Sequence, residues 1–374
     1  MLRVLTIAHN AVAGSNRARV DALRRLPGTY VELLTPPWWF EEGQRLEISQ
    51  SATWRVGRTI FTGNGTRHAY LSGLVRALRE VKPDVIDLHE EPFSVVALQT
   101  LLLRDWLAPN AAFIFYSAVN VQRQWRWPYR AIERMVLRRA DGAHAPSAEV
   151  PPILRERGLG DQPVAVIPLG VDVRRFADAA PMPLPDIATP RVGFIGRFEA
   201  VKGLDVLLEA FGMLKTRASL VLVGDGSERA RLMADRVHVL RAVPYERIPS
   251  VLKALDVLVL PSVTILPLHR EQFGRVLAEG MAAGVPVVGS SSGAIPEVVG
   301  DAGLVVPERD PAALARAIDA VLSQPGLREQ LVRRGRERAA ERFDWSVVAE
   351  QTLTLFQNAV AQRRGVVKLE AVGA

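Results

Sequence analysis

The chain has no cysteine, which excludes disulfides and thiolate metal ligands and makes a reducing compartment, the cytoplasm, the expected location. Long apolar runs are also missing. The longest, such as Leu255-Asp256-Val257-Leu258-Val259-Leu260-Pro261, fall far short of the roughly 20 residues a membrane helix needs, so no segment is expected to span a bilayer. The opening residues, Met1-Leu2-Arg3-Val4-Leu5-Thr6-Ile7-Ala8-His9, carry one charge and a short apolar stretch, the pattern of a buried first strand and not of a secretory leader. Acidic residues are outnumbered, 40 against 47 Lys and Arg, for a formal charge of +7. That excess favours polyanionic partners or an anionic membrane surface and says nothing about fold. The basic residues are dispersed and no nucleic-acid-binding fold is recognisable, so nucleic acid is not an expected partner.

What is present suits a soluble globular protein: 374 residues, 48% hydrophobic and 23% charged, too long for one ordinary core and comfortable for two. Short apolar runs alternate with helical periods. Val4 to Ala8, Tyr30 to Leu34, Val85 to Leu88, Ala112 to Tyr116 and Val164 to Ile167 read as buried strands, and a second series runs through Val192 to Ile195, Leu220 to Val223, Val257 to Leu260 and Val285 to Val288. Two α/β sheets in tandem follow. Between the series, residues 181–190 hold four prolines with no helical or strand period, which marks 179–190 as the expected linker. Doubly wound sheets bind ligands at the carboxyl ends of their strands, so a ligand is expected in a cleft between two such domains.

The strongest local pattern is Glu271-Gln272-Phe273-Gly274-Arg275-Val276-Leu277-Ala278-Glu279. Gly274 to Ala283 reads as a short helix ended by Gly284. Free amides at Phe273, Gly274 and Arg275 would then meet a phosphate at the positive helix end. The two acids taken alone fit equally well as a solvent-facing helix residue and a partner of the helix dipole. A second pattern, Gly196-Arg197-Phe198-Glu199-Ala200-Val201-Lys202-Gly203, places two cations in a strand-end loop before a helix. Arg197 offers a planar fork and Lys202 a compact charge, together able to neutralise a diphosphate without a metal. Unpaired surface cations there would be disfavoured by the helix dipole, which weighs toward an anion clamp. Gly224-Asp225-Gly226 lacks a third glycine and reads as a tight turn.

These segments, with Gly293-Ala294-Ile295-Pro296-Glu297, occur in the order and spacing of family 4 glycosyltransferases, which the chain resembles over most of its length. The N-terminal half resembles them more loosely, through Asp84-Val85-Ile86-Asp87-Leu88-His89 and Val166-Ile167-Pro168-Leu169-Gly170-Val171-Asp172. The resemblance implies a GT-B fold, two Rossmann-like doubly wound α/β domains facing across a cleft. Residues 1–178 would form the acceptor-side domain and 191–351 the nucleotide-sugar domain. A last helix over about 352–365 would cross back onto the first domain, with 366–374 as a frayed tail.

It also implies a retaining transfer from a nucleoside diphosphate sugar to a hydroxyl acceptor, a glycan, glycolipid or lipid-linked intermediate, with no cofactor and no obligatory metal. Arg197, Lys202 and Glu271 would be the catalytic residues, the two cations on the diphosphate and Glu271 facing the sugar. Gly14, Gly196, Val243, Phe273, Gly274, Arg275 and Glu279 would bind the donor, Glu279 through the ribose and Val243 beside the base. The chain departs from the family at Val119, where many members carry a histidine. Valine is neither base nor donor, so the departing phosphate would take the acceptor proton, and Asn120 could hydrogen-bond a sugar hydroxyl.

His9 and His89 follow strand ends and are acceptor-side candidates with Asn120, although lone histidines there are more often structural. His144 reads as a core residue with a satisfied ring. Pro36-Pro37-Trp38-Trp39-Phe40 and the stretch from Arg123 to Arg139 mix tryptophan with arginine. That suits sugar rings, a lipid-linked acceptor or peripheral contact with the inner membrane face, and equally a half-buried helix with solvated arginines. The competing readings are a noncatalytic sugar-nucleotide-binding protein and a GT-B epimerase, since one architecture hosts several activities.

Overall fold

The structure, a computed structural model, describes residues 1–41, 44–232 and 234–365. It divides into two compact units: Met1–Ile167 with the segment from Ser346 onward, and Pro168–Trp345. The expected tail at 366–374 lies outside the described residues.

In chain order the first unit holds β1 Leu2–Ile7, β2 Thr29–Thr35, β3 Trp38–Glu41, β4 Gln44–Glu47, β5 Trp54–Val56 and β6 Thr59–Ile60. It continues with β7 Ala69–Tyr70, β8 Val85–Leu88, β9 Ala112–Tyr116, β10 Gly142–Ala145 and β11 Val164–Val166. Seven of these form one parallel sheet in the order β11-β10-β9-β8-β1-β2-β5. The pairs β3–β4 and β6–β7 are antiparallel hairpins. Helices on the crossovers cover the sheet, so strands such as β8 and β10 are buried along their whole length, as parallel sheets require. β10, Gly-Ala-His-Ala, carries no β-branched residue and gave no strand signal in sequence; its burial between β9 and β11 makes it one.

One buried ion pair locks the first unit together. Arg19, on the helix Gly14–Arg25, donates to both carboxylate oxygens of Asp87 on β8, at 2.7 and 3.2 Å, while Thr6 on β1 donates to the same carboxylate at 3.0 Å. Burial alone would raise the Asp87 carboxyl, but the Arg19 charge and the His144 contact overrule it and hold it far below the usual range. His144 is a core residue, as expected, with Nε2 3.4 Å from Asp87 Oδ1; the expected satisfied ring is corrected, since that nitrogen makes no hydrogen bond.

The second unit holds β12 Arg191–Ile195, β13 Ser219–Val223, β14 Val237–Leu240, β15 Val257–Leu260, β16 Val287–Ser290 and β17 Leu304–Val306. They form a parallel sheet in the order β14-β13-β12-β15-β16-β17. The fold class is therefore the expected pair of doubly wound α/β units. The order reverses between β12 and β15, so the loops after these two strands share one switch point, where such sheets take their ligands.

The proline-rich stretch 179–190 is not the boundary it was expected to be: the units part at Ile167 and Pro168, and this stretch belongs to the second. Its apolar residues decide that. Ile187 is buried, Met182 and Leu184 pack on the second core, and the Met182 amide donates to Ser250 O at 2.8 Å. Prolines here stiffen a packed edge strap. The last helix, Trp345–Arg363, joins the first unit, where Arg363 donates to Asp141 at 2.6 Å and Arg364 to Asp84 at 2.5 Å. Among the described residues no helix is long and apolar enough to cross a membrane.

Candidate active site

In the second unit the loop after β12 carries Gly196, Arg197 and Lys202, and the loop after β15 carries Glu271 and Phe273. The two loops meet through one ion pair: Lys202 Nζ lies 2.7 Å from Glu271 Oε2, and Ser262 Oγ donates to the same oxygen at 2.8 Å. Burial opposes ionisation of Glu271, but the Lys202 charge and these two hydrogen bonds hold its carboxyl below the ordinary value. Arg197 points to a different partner, Glu199 Oε1 at 2.7 Å, and is half exposed. The two cations have different partners: Lys202 is set by a buried acid and Arg197 by a partly exposed one.

The helix Arg275–Ala283 begins at Gly274, whose φ of 78° only glycine adopts without strain, and no side chain caps its first turn. Gly284, also left-handed, ends it. Phe273 is buried and packs edge-to-face on Phe343 at 5.8 Å, so any donor contact of Phe273 falls to its backbone. Glu279 is buried on this helix and accepts a hydrogen bond from the Tyr245 hydroxyl. Burial and the Glu279 charge push the Tyr245 phenol well above its ordinary value. Val243 is partly buried against the core two residues before that tyrosine. The Gly196 amide is spent on Val223 O at 3.0 Å, leaving Gly196 as a backbone turn. Gly224-Asp225-Gly226 is irregular and leads into a turn only at Ser227 and Glu228; it is tied to the loop after β12, with Asp225 O accepting from the Phe198 amide at 2.8 Å.

In the first unit Gly14 opens the helix after β1. His9 follows the same strand, and its Nδ1 lies 2.5 Å from Glu90 Oε2. His89 is buried and stacks on Tyr116 at 4.1 Å. Asn120 is buried and donates to Glu149 at 2.9 Å. Of the tryptophan-rich stretches, Trp39 is buried in β3 while Trp127 is 84% exposed. The stretch from Arg123 becomes helical only at Tyr129–Arg139, with Ile132, Val136 and Leu137 in the core.

A family model described as Glycosyltransferase Family 4 matches residues 19–175, and one described as Glycosyl transferases group 1 matches residues 189–324. Among similar proteins, glycogen synthase of Mycobacterium tuberculosis is 29% identical over 305 residues, 77% of this chain and 71% of that protein. Phosphatidyl-myo-inositol mannosyltransferase of Mycolicibacterium smegmatis is 38% identical over 206 residues, 51% of each chain. The two models match both halves in order.

The chain belongs to glycosyltransferase family 4.

Solved structures agree on the fold of this glycosyltransferase. Sucrose-phosphate synthase of Thermosynechococcus elongatus superposes with a TM-score of 0.72 at 22% identity, covering 97% of this chain and all of that one. Anabaena HepE, in complex with UDP and glucose, gives 0.69 at 16% identity over 96% of this chain and all of that one. The fold is GT-B.

Sequence reasoning about this glycosyltransferase missed two groups in the second unit. Tyr245 partners Glu279 across a gap of chain that no local pattern bridges. His269, two residues before Glu271, is lowered first by burial and then feels Glu271, Lys202 and Arg197 together. A histidine beside the first acid of the motif was the available signal.

Proposed function

We propose that this glycosyltransferase is a retaining enzyme that takes its sugar from a nucleoside diphosphate donor held by the second unit and passes it to a hydroxyl of a glycan, glycolipid or lipid-linked acceptor. The observation that carries this reading is the Lys202–Glu271 pair at the switch point between β12 and β15. Lys202 has two more ammonium hydrogens to offer a diphosphate, and Arg197, tethered only to an exposed acid, adds a fork. Together they oppose the charge that grows on the leaving group as the glycosidic bond breaks, so no resident metal is needed for that charge. Glu279, oriented by Tyr245, accepts from ribose hydroxyls, while the Gly274 and Arg275 amides at the uncapped helix start meet a phosphate. Glu271 faces the sugar beside Lys202. The acceptor proton leaves with the phosphate, since Val119 has no group to take it.

UDP and glucose in HepE support the donor class, and relatives that build glycans and phosphatidylinositol mannosides support the acceptor class. A cytoplasmic enzyme touching the membrane face through exposed Trp127 fits the latter.

The test is a thermal-shift screen across nucleoside diphosphate sugars, followed by proton NMR of the anomeric product. A donor should raise Tm with its concentration, Glu279→Ala should erase the shift, and the product should keep the donor's anomeric configuration. No shift with any donor overturns the donor site; a shift without product leaves a noncatalytic binder.

A further inference from the structure

Three side chains of the first unit, from segments far apart in sequence, converge beyond the carboxyl ends of β1 and β8: His9, His68 and Glu90. Their nearest ligand atoms all lie within 4.8 Å of one another. Adjacent parallel pairing of β1 and β8 brings His9 and Glu90 together, and His68 arrives just ahead of β7. Glu90 and His68 are fully shielded from solvent, while the His9 side chain keeps 25% of its surface. Trp39 walls the cluster, its ring 4.3 Å from His9 and 4.9 Å from His68.

The hydrogen-bond chemistry of this cluster does not close. His68 Nδ1 sits 3.2 Å from Asn64 O, and a carbonyl oxygen can only accept, so Nδ1 carries the hydrogen. In the neutral ring Nε2 then presents a bare lone pair. That lone pair faces Glu90 Oε1 at 3.5 Å, in a buried space, with no hydrogen bond made. Two acceptors aimed at one point need either a proton on the ring or a metal cation between them. The other Glu90 oxygen faces His9 Nδ1 at 2.5 Å. The Tyr70 hydroxyl, buried in the field of Glu90, also has no partner.

We propose that His9, His68 and Glu90 bind a divalent transition-metal ion of the Zn²⁺ class, separate from the donor site of the second unit. Two imidazoles and one carboxylate are a donor set zinc accepts. Bonds of about 2.0–2.2 Å at tetrahedral angles put neighbouring ligand atoms about 3.4 Å apart, close to the 3.5 Å between His68 Nε2 and Glu90 Oε1. The Nδ1 hydrogen bond of His68 to a backbone carbonyl is the outer contact that orients a ligating histidine. Part-exposed His9 is the entry side, and the fourth position there is left to an oxygen ligand, water in the isolated protein.

The full chain, dialysed free of metal, is titrated with Zn²⁺ alone, and bound metal is measured after equilibrium dialysis. About one zinc per chain should be retained. His9→Ala, at the exposed ligand where folding is least at risk, and Glu90→Gln should each weaken retention at least tenfold, while His238→Ala in the second unit should leave it unchanged. Co²⁺ in the wild-type chain should give the intense visible bands of a four-coordinate site, a readout that needs no variant. Zinc uptake by wild type no greater than by His9→Ala, or an octahedral Co²⁺ spectrum, overturns the proposal. Neither result bears on donor binding, so the glycosyltransferase reading stands or falls separately.

Discussion

Lys202 Nζ rests 2.7 Å from Glu271 Oε2 although 69 residues separate them. The contact ties the loop after β12 to the loop after β15, and both side chains are largely withdrawn from water. Such a pair costs solvation to bury and is tolerated where each charge is held by the other. A lysine fixed in this way meets an incoming anion without reorganising.

Lys202→Ala removes a cation from the leaving group and strands Glu271 in a buried place. We expect kcat/KM to fall by about 10²–10³ and unfolding stability to drop by about 3 kcal/mol. Steady-state kinetics and urea unfolding check the two effects. Lys202→Ala with Glu271→Gln together should recover stability and leave activity low; recovery of activity would show that the lysine serves only the pair.

Tyr245→Phe deletes the hydroxyl that orients Glu279. The expected cost is about 1–3 kcal/mol of stability, because a buried carboxylate loses a donor, together with a rise in donor KM at little change in kcat. An unchanged KM would mean that Glu279 needs no such guide.

Gly293→Ala places a Cβ 2.0 Å from Glu271 O at a φ of +54°. The loop that positions Glu271 must then move, since both the backbone conformation and the space are closed to a side chain. We expect activity to fall more than tenfold in protein that still folds, with circular dichroism as the check on folding.

Glu91 accepts from the Ser117 hydroxyl at 2.7 Å and the Ala118 amide at 2.8 Å, yet burial pushes its carboxyl up to about 7. The folded chain therefore keeps a proton that the unfolded chain releases near 4.5. Stability from this group is lost as pH rises from about 4.5 to about 7, and is level above. Glu91→Gln, neutral throughout, should gain in Tm over wild type at pH 8 relative to pH 5. An equal difference at both pH values would place the titration elsewhere.

Much of the architecture was legible because buried parallel strands announce themselves as apolar runs. Val257–Leu260 and Ser219–Val223 are such runs and are strands. The helix Arg275–Ala283 was readable from Gly284, whose left-handed conformation ends it. β10 and β14 were not readable, since Gly142–Ala145 lacks β-branched residues and Val237–Leu240 is an edge strand only half covered. The stretch 179–190 misled for a related reason: proline content speaks of backbone stiffness, and whether Met182, Leu184 and Ile187 find a core depends on what lies beside them.

The sequence by itself determined the family, through motifs whose spacing within single loops and helix ends sets local backbone geometry. It also settled the alternation of strands and helices, because periodicity is a local property of the chain. Only the tertiary structure decided which charges meet. Lys202 takes Glu271 while Arg197 takes Glu199, Tyr245 takes Glu279, and His9 and Glu90, 81 residues apart, converge with His68. Those partnerships follow from the order of strands in each sheet. Strand order is chosen by the burial of the whole core, a long-range balance that no stretch of sequence contains.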